Sequence, residues 1–461
     1  MLLKKLSALL SVSIIILFSF SGCGLYDTSS SETLTSDGKP VKADKDDNSW
    51  QKNIGKITLG DTPAVTGQGI SVKDNIILIS QGGDFEVSGT LTNGMIHVYT
   101  GEKVRLTLNN AHITNENGPA IFFERSKRSF ISTKKDTVNS LTDGTTYSYD
   151  AKATLFSNDT LEFQGSGTLE VTGNFKHAIA SDDDILADSG AIIIKSAKTD
   201  GFHANDNITV NNAEIDVAAL DDGMNSEGDI LIGGGKLTVS AGDDGIHAAT
   251  VLKITAGEIN IKKSFEGLEG KASLHIDGGT LDIHAEDDAL NAGVDLVINN
   301  GTIFADCNGD GIDSNGSITI NGGTSVVYSG NNANGPLDTG KTDGRFTVNG
   351  GTILALGGKD TIKTDDNSKQ YSMWIKTAFS ENNIISIFED QKEILSFKPI
   401  KSAALAFLSL DKLKKNNNYI IYSGGTHSGT LANSVFGKGD YTKGTELGKV
   451  VMSEKTVTIG S

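Results

Sequence analysis

The sequence predicts an all-β chain folded as a parallel β-helix, and three observations lead there. One phrase returns at Asp200-Gly201-Phe202-His203, Asp222-Gly223-Met224-Asn225, Asp244-Gly245-Ile246-His247, Glu266-Gly267-Leu268-Glu269, Asp288-Ala289-Leu290-Asn291 and Asp310-Gly311-Ile312-Asp313, its central anchors 22 residues apart every time. Short alternating apolar segments fill each repeat, and no amphipathic helix interrupts the body. Gly is abundant at 54 residues, Pro rare at 5 and aromatics only 6%, which suits many turns and narrow strands better than a broad globular core. A unit this short cannot bury its apolar face alone, so it must stack on its neighbours.

Taken in order, the chain opens with Met1-Leu2-Leu3-Lys4-Lys5, an apolar run to Phe20, and Ser21-Gly22-Cys23. A basic start, a short apolar core and small residues before a cleavage point predict a secretory signal over 1–23. The ending resembles a bacterial lipobox, which would make Cys23 a lipidated N-terminus and membrane anchor on the extracellular side. Residues 24–53, rich in Ser, Thr, Asp and Lys, read as a flexible tether. The repeat body is expected over 54–366. A β-rich segment with 10 aromatics, including Trp374 and Phe407, then fills 367–461 and reads as a cap for the open solenoid end.

Alignment on the 22-residue period sorts side chains into columns. Phe202, Met224, Ile246, Leu268, Leu290 and Ile312 form an interior column; His203, Asn225, His247, Glu269, Asn291 and Asp313, one step on, point to solvent, since successive strand residues face opposite ways. A second strand carries Ile208, Ile230, Leu252, Leu274, Leu296 and Ile318, and a third Ile215, Leu237, Ile259 and Leu281. Three strands and three turns in 22 residues make one coil, with coils stacked roughly 4.8 Å apart. A propeller would need a period nearer to about 40.

The formal charge is −18, and between Asp200 and Ile320 there are 22 acidic residues against five lysines and no arginine. Nucleic acid is thereby excluded as a partner, because phosphate contacts need the opposite sign. Cations, or polyanions bridged by cations, fit instead. Carboxylates at Asp200, Asp221, Asp222, Asp243, Asp244, Glu266, Asp287, Asp288 and Asp310 fall in one turn of successive coils. Stacked one coil apart they repel unless neutralised, and calcium accepts the irregular oxygen-rich geometry that such a stack offers. The expected cofactor is therefore calcium, several ions per chain, with the His203-to-Asp313 column as the substrate-binding row beside it. His203 and His247 lie two coils apart, roughly 9.6 Å, too far to share one zinc ion. Asp306-Cys307-Asn308-Gly309-Asp310 has the look of half an EF-hand loop. The position that needs a bidentate Glu is Ser317, however, and the segment keeps the repeat register. Asp182-Asp183-Asp184 either extends the acidic row or forms a solvated turn. Cys307 is the other cysteine, so no intrachain disulfide forms once Cys23 is acylated.

Together the Asp-Asp-Gly-apolar coils, the Asn-Gly-Gly-Thr turns at Asn321 and Asn349 and the tail phrase Asn418-Tyr419-Ile420-Ile421-Tyr422-Ser423-Gly424-Gly425 resemble a family of bacterial surface proteins described as carbohydrate-binding domain-containing. That resemblance, over about 55–461, implies a right-handed, pectate-lyase-like β-helix with several calcium ions that binds plant cell-wall polysaccharide, polygalacturonate (pectin) and cellulose. Cellulose is less visible in the residues, because the coils from Asp200 to Ile320 hold no Trp or Tyr to stack on a sugar. The enzymatic alternative is a pectate lyase. Its proton-abstracting base would be Lys263, which stands in a column otherwise made of Ala219, Ala241, Ala285 and Cys307; an ammonium paired with a carboxylate is the structural alternative. A surface adhesin without sugar affinity is the third reading.

Overall fold

A computed structural model describes residues 49–330, 334–358 and 361–460. Each coil of the 22-residue repeat has three short strands: Met224–Ser226, Ile230–Ile232 and Lys236–Ser240 make one, and Ile246–Ala248, Val251–Ile254 and Glu258–Ser264 make the next. Every strand pairs in parallel with its counterpart one coil on, as in Met224 with Ile246, Ile230 with Leu252 and Leu237 with Ile259. The first strands of successive coils build a 13-stranded sheet, parallel throughout except for the hairpin at its start. The β-helix read from the period is the fold.

The apolar columns are the interior. Met224, Ile246, Leu268, Leu290 and Ile312 are fully buried, and so are Ile230, Leu252, Leu274 and Leu296 on the second face. Each such side chain contributes on the order of 1.5–3 kcal/mol by leaving water, and the gain exists only because the coil above and the coil below cover it. The anchors are glycine because the wall is thin there. A Cβ on Gly223 would lie 2.3 Å from Val239 Cγ1 and 2.5 Å from the Gly245 carbonyl oxygen. A different demand applies at the second-to-third-strand turn, where Gly235, Gly257, Gly279, Gly301, Gly323 and Gly351 all have φ between +80° and +112°, in or near the left-handed region that glycine enters freely. At the start of the same turn the side chains themselves stack: Asn349 donates to Asn321, Asn321 to Asn299 and Asn299 to Asp277, at 2.8, 2.7 and 2.6 Å.

Both ends depart from the repeat. The predicted tether ends sooner than expected, because Ser49–Lys52 is a 3-10 turn and Trp50 stacks on Phe130, ring centroids 5.5 Å apart. An indole has too much apolar surface to be left in a solvated linker when a coil edge is available to cover it. The predicted signal segment, Cys23 and most of the tether lie outside the described residues. At the other end Ala403–Ser409 pairs antiparallel with both Thr352–Gly357, the last coil strand, and Ser372–Phe379. Trp374 and Phe407 pack over the open core with ring centroids 5.0 Å apart, and the indole N–H donates to the Ile362 carbonyl at 2.8 Å. A second apolar cluster, with Leu354, Phe397, Leu408 and Tyr419 among its members, anchors the remaining sheet of this cap. Among the described residues no helix is long and apolar enough to cross a membrane.

Candidate functional site

Two polar rows run along one edge of the 13-stranded sheet. The inner row is Asp200, Asp222, Asp244, Glu266, Asp288 and Asp310. Backbone bonds fix its spacing: the N–H groups of Gly201, Gly223, Gly245 and Gly267 each donate to the carbonyl of the row residue one coil on, at 2.8–2.9 Å. The carboxylates add a second staple, since Asp222 accepts the Asp244 N–H at 2.9 Å and Asp288 accepts the Asp310 N–H at 2.6 Å. Three residues along the chain, the outer row is His203, Asn225, His247, Glu269, Asn291 and Asp313, which the sheet register carries on to Asp338. Inner and outer members face each other. Asn225 Nδ2 donates to Asp222 at 2.5 Å, and Asn291 Nδ2 to Glu266 at 3.0 Å.

The outer row is not the solvent-facing surface expected of it. Its members are half-buried and Glu269 is only 4% exposed, because a strand of three residues lies directly against the turn whose carboxylates reach back over it. The result is a polar groove between turn and sheet. Asp221 and Asp243 stand exposed on its outer lip, with Asp287 half-buried beside Asp288.

Burial and mutual repulsion dominate the electrostatics. Asp222 is pushed up to about 7, first by burial and then by Asp200, Asp221 and Asp243, against the opposing hydrogen bond from Asp244. Burial with Asp310, Asp287 and Asp313 nearby does the same to Asp288, also to about 7. Asp313 reaches about 7 through burial, Asp310 and Asp338. Asp244 and Glu266 move upward for the same reasons, burial leading. Asp200 alone goes the other way: burial would raise it, but hydrogen bonds from His177 and His203 hold it near 2.

Among the described residues, four groups bring three ligand atoms within 4.8 Å of one another: Asp221 with Asp222 and Asp243, Asp310 with Asp313 and Asp338, Asp244 with His247 and Glu269, and His177 with Asp200 and His203. The first two are all-oxygen. They fit a hard cation, and Asn225 Oδ1, buried beside Asp222 and without a hydrogen-bond partner, is a further neutral oxygen at the same place. Two residues in these groups escaped the sequence reading. Asp338 follows a coil lengthened to 25 residues, since it pairs with Asp313. His177 occupies the inner-row register one coil before Asp200, the Ala178 N–H donating to the Asp200 carbonyl at 3.1 Å.

Lys263 does not stand in the alanine column. The strand Glu258–Ser264 bulges, so that Ser264, fully buried, pairs with Ala285 in that column and Lys263 turns outward. Its side chain is 66% exposed, and its ammonium lies 3.1 Å from Glu286. The pairing with a carboxylate is thus the arrangement found. Asp182, Asp183 and Asp184 belong to a different turn, where Asp184 binds Asn207 and Asp182 binds Lys152 and Asn205. They do not extend the inner row. The Asp306-to-Asp310 segment keeps coil register, with Asp306 opposite His284 and Tyr328 in adjacent strands.

A protein of Acetivibrio thermocellus described as carbohydrate-binding domain-containing is 28% identical over 136 residues, covering 28% of this chain and 48% of that protein. The chain thus spans about half the length of that relative. Among solved structures, a polysaccharide lyase-like protein from C. thermocellum, a gadolinium derivative, aligns over 68% of this chain and 97% of its own at 20% identity and a TM-score of 0.36. The family model for carbohydrate-binding domain-containing proteins matches residues 73–311, more than half of the chain, a span that includes the whole inner row and the outer row as far as Asn291. The chain belongs to the carbohydrate-binding domain-containing protein family.

Proposed function

We propose that this chain binds an acidic polysaccharide of the polygalacturonate type through calcium ions held along the inner row. Carbohydrate binding in general is what the family membership supports. The finer reading rests on one observation: carboxylates of successive coils converge on the groove, Asp221, Asp222 and Asp243 in one place and Asp310, Asp313 and Asp338 in another, each set with ligand atoms within 4.8 Å of one another, and burial first, mutual repulsion second, pushes Asp222, Asp288 and Asp313 each up to about 7. Coil stacking alone does not require carboxylates here, because neutral Asn225 and Asn291 stack in the outer row of the same coils. Asp221, Asp222 and Asp243 would hold one ion and Asp310, Asp313 and Asp338 another, with Asp244, Glu266, Asp287 and Asp288 completing the row between them. Calcium, when bound, neutralises these groups and offers remaining coordination positions to uronate oxygens. Asn225, Asn291 and Glu269 line the groove beside the ions and supply hydrogen bonds to sugar hydroxyls.

Surface display through a lipid on Cys23 belongs to the same reading and is tested by labelling cells with a fatty-acid analogue and comparing Cys23→Ser. For the sugar, residues 24–461 are incubated with insoluble polygalacturonate and with cellulose, in calcium and in chelator. Retention on polygalacturonate that is lost in chelator is expected. Retention unchanged by chelator sinks the calcium bridge, and absence of retention on either polymer favours a surface adhesin. Release of unsaturated product would identify a lyase, for which Lys263→Ala is the control.

A further inference from the structure

We infer that His177, Asp200 and His203 form a binding site for a zinc-class transition metal, separate in chemistry from the all-oxygen row. The three residues come from two adjacent coils. Asp200 is 3% exposed, and the same carboxylate oxygen, Oδ2, faces both imidazoles: His203 Nδ1 at 2.9 Å and His177 Nδ1 at 3.2 Å. The rings lie one above the other, centroids 4.3 Å apart and 17° from parallel. Tetrahedral zinc with bonds of about 2.0–2.1 Å places its ligand atoms about 3.3 Å from one another. Both nitrogen-to-oxygen distances already lie within a few tenths of an ångström of that edge, and all three ligand atoms lie within 4.8 Å. Closing the stacked rings onto one ion takes a rotation of each about its Cβ–Cγ bond.

The donor set decides the metal. Calcium takes oxygen ligands and has little use for imidazole, whereas two imidazoles and one carboxylate suit zinc and its neighbours. Three protein ligands leave a fourth position for water or another donor, the pattern of an open rather than a closed zinc site. Thr199 Oγ1, 2.9 Å from His177 Nδ1, stands beside it. Elsewhere along the inner row Asp222 and Glu266 face an asparagine, and Asp244 has one histidine, His247, with Glu269 beside it; two histidines meet on one buried carboxylate at Asp200, where the row begins.

The test uses the whole 461-residue chain in mild detergent, with calcium in large excess so that the oxygen row is loaded throughout. Cobalt(II) is titrated in and its visible d–d bands are read, then zinc is added. One equivalent of cobalt with the strong bands of a tetrahedral site, displaced by zinc but not by calcium, is expected. His203→Gln should weaken cobalt binding by about a hundredfold or more, a ligand loss exceeding the 10–100-fold cost of an outer-shell change, while His284→Gln, at an exposed histidine outside both rows, leaves it unchanged. Should His203→Gln fail to fold, X-ray absorption on the zinc-loaded unmodified chain decides instead: two imidazoles in the zinc shell support the site. No cobalt bands, bands abolished by calcium, or a zinc shell with fewer than two imidazoles would overturn it.

Discussion

Replacing Asp222 by Asn gives a sharp test of the electrostatics, because the group is 6% exposed and solvent screening relieves it little. Its carboxyl is raised from 3.8 to about 7, so the folded chain holds this proton more tightly than the unfolded chain does. The sign follows: stability is lost as pH rises from the unfolded value through the folded one, the reverse of an ordinary ion-paired aspartate. Linkage with these values makes the cost just under about 2 kcal/mol at pH 5 and about 4 kcal/mol at pH 8. Asp222→Asn removes the charge and keeps the shape. The new amide oxygen can still accept the Asp244 N–H, and its NH2 can donate to Asn225 Oδ1, which has no partner, once that side chain turns over. Urea unfolding in chelator at pH 5 and pH 8 should therefore show the variant gaining about 2.5 kcal/mol on the parent between the two conditions. In saturating calcium the order should reverse at pH 8, since the variant has lost a ligand. Parallel pH profiles for the two proteins in chelator would refute the argument that burial and repulsion strain this row.

Other outcomes follow from the same geometry. Calcium at a hundred times its dissociation constant should stabilise the parent by about 2.7 kcal/mol per site, read as a rise in unfolding midpoint that chelator reverses. Lys263→Ala removes an exposed pair with Glu286, so thermal unfolding should shift by no more than the ~0.2–1 kcal/mol typical of surface pairs. Polysaccharide retention should not change. Ile254→Ala empties a fully buried position covered by coils on both sides and should cost about 2–5 kcal/mol in urea unfolding. Cys307 is buried with its thiol pushed up to about 12, chiefly by desolvation, so a thiol reagent at pH 8 should label it only after denaturant is added.

How far the sequence disclosed all this depended on whether the count of 22 held. Between Gly201 and Gly311 the anchors never slip, so the interior columns and the inner row could be written down directly. Where a coil gains a residue the column is lost to inspection. His177 stands 23 positions before Asp200, behind a register shift in Ala191–Ala197, and the zinc-class cluster was invisible for that reason. The phrase His177-Ala178-Ile179-Ala180 does imitate the repeat, with alanine at the anchor. Lys263 was misplaced by the opposite event: its strand bulges while the anchors on either side keep their interval. Period alone also says nothing about how deep an outward side chain sits, which is why Glu269 was expected in solvent and lies in the groove.

The constancy of the coil has an engineering corollary. Each coil is a module whose removal joins two surfaces that already match, so deleting the 22 residues from Gly223 to Asp244 would bring Gly245 and its strand under Phe202 with both rows intact and one rung shorter. Deleting 21 would instead move the following strand by one residue and turn its isoleucines outward. Capacity for ligand in such a body therefore changes in whole rungs, and genetic gain or loss of a coil would alter the length of polymer gripped while leaving each contact as it was.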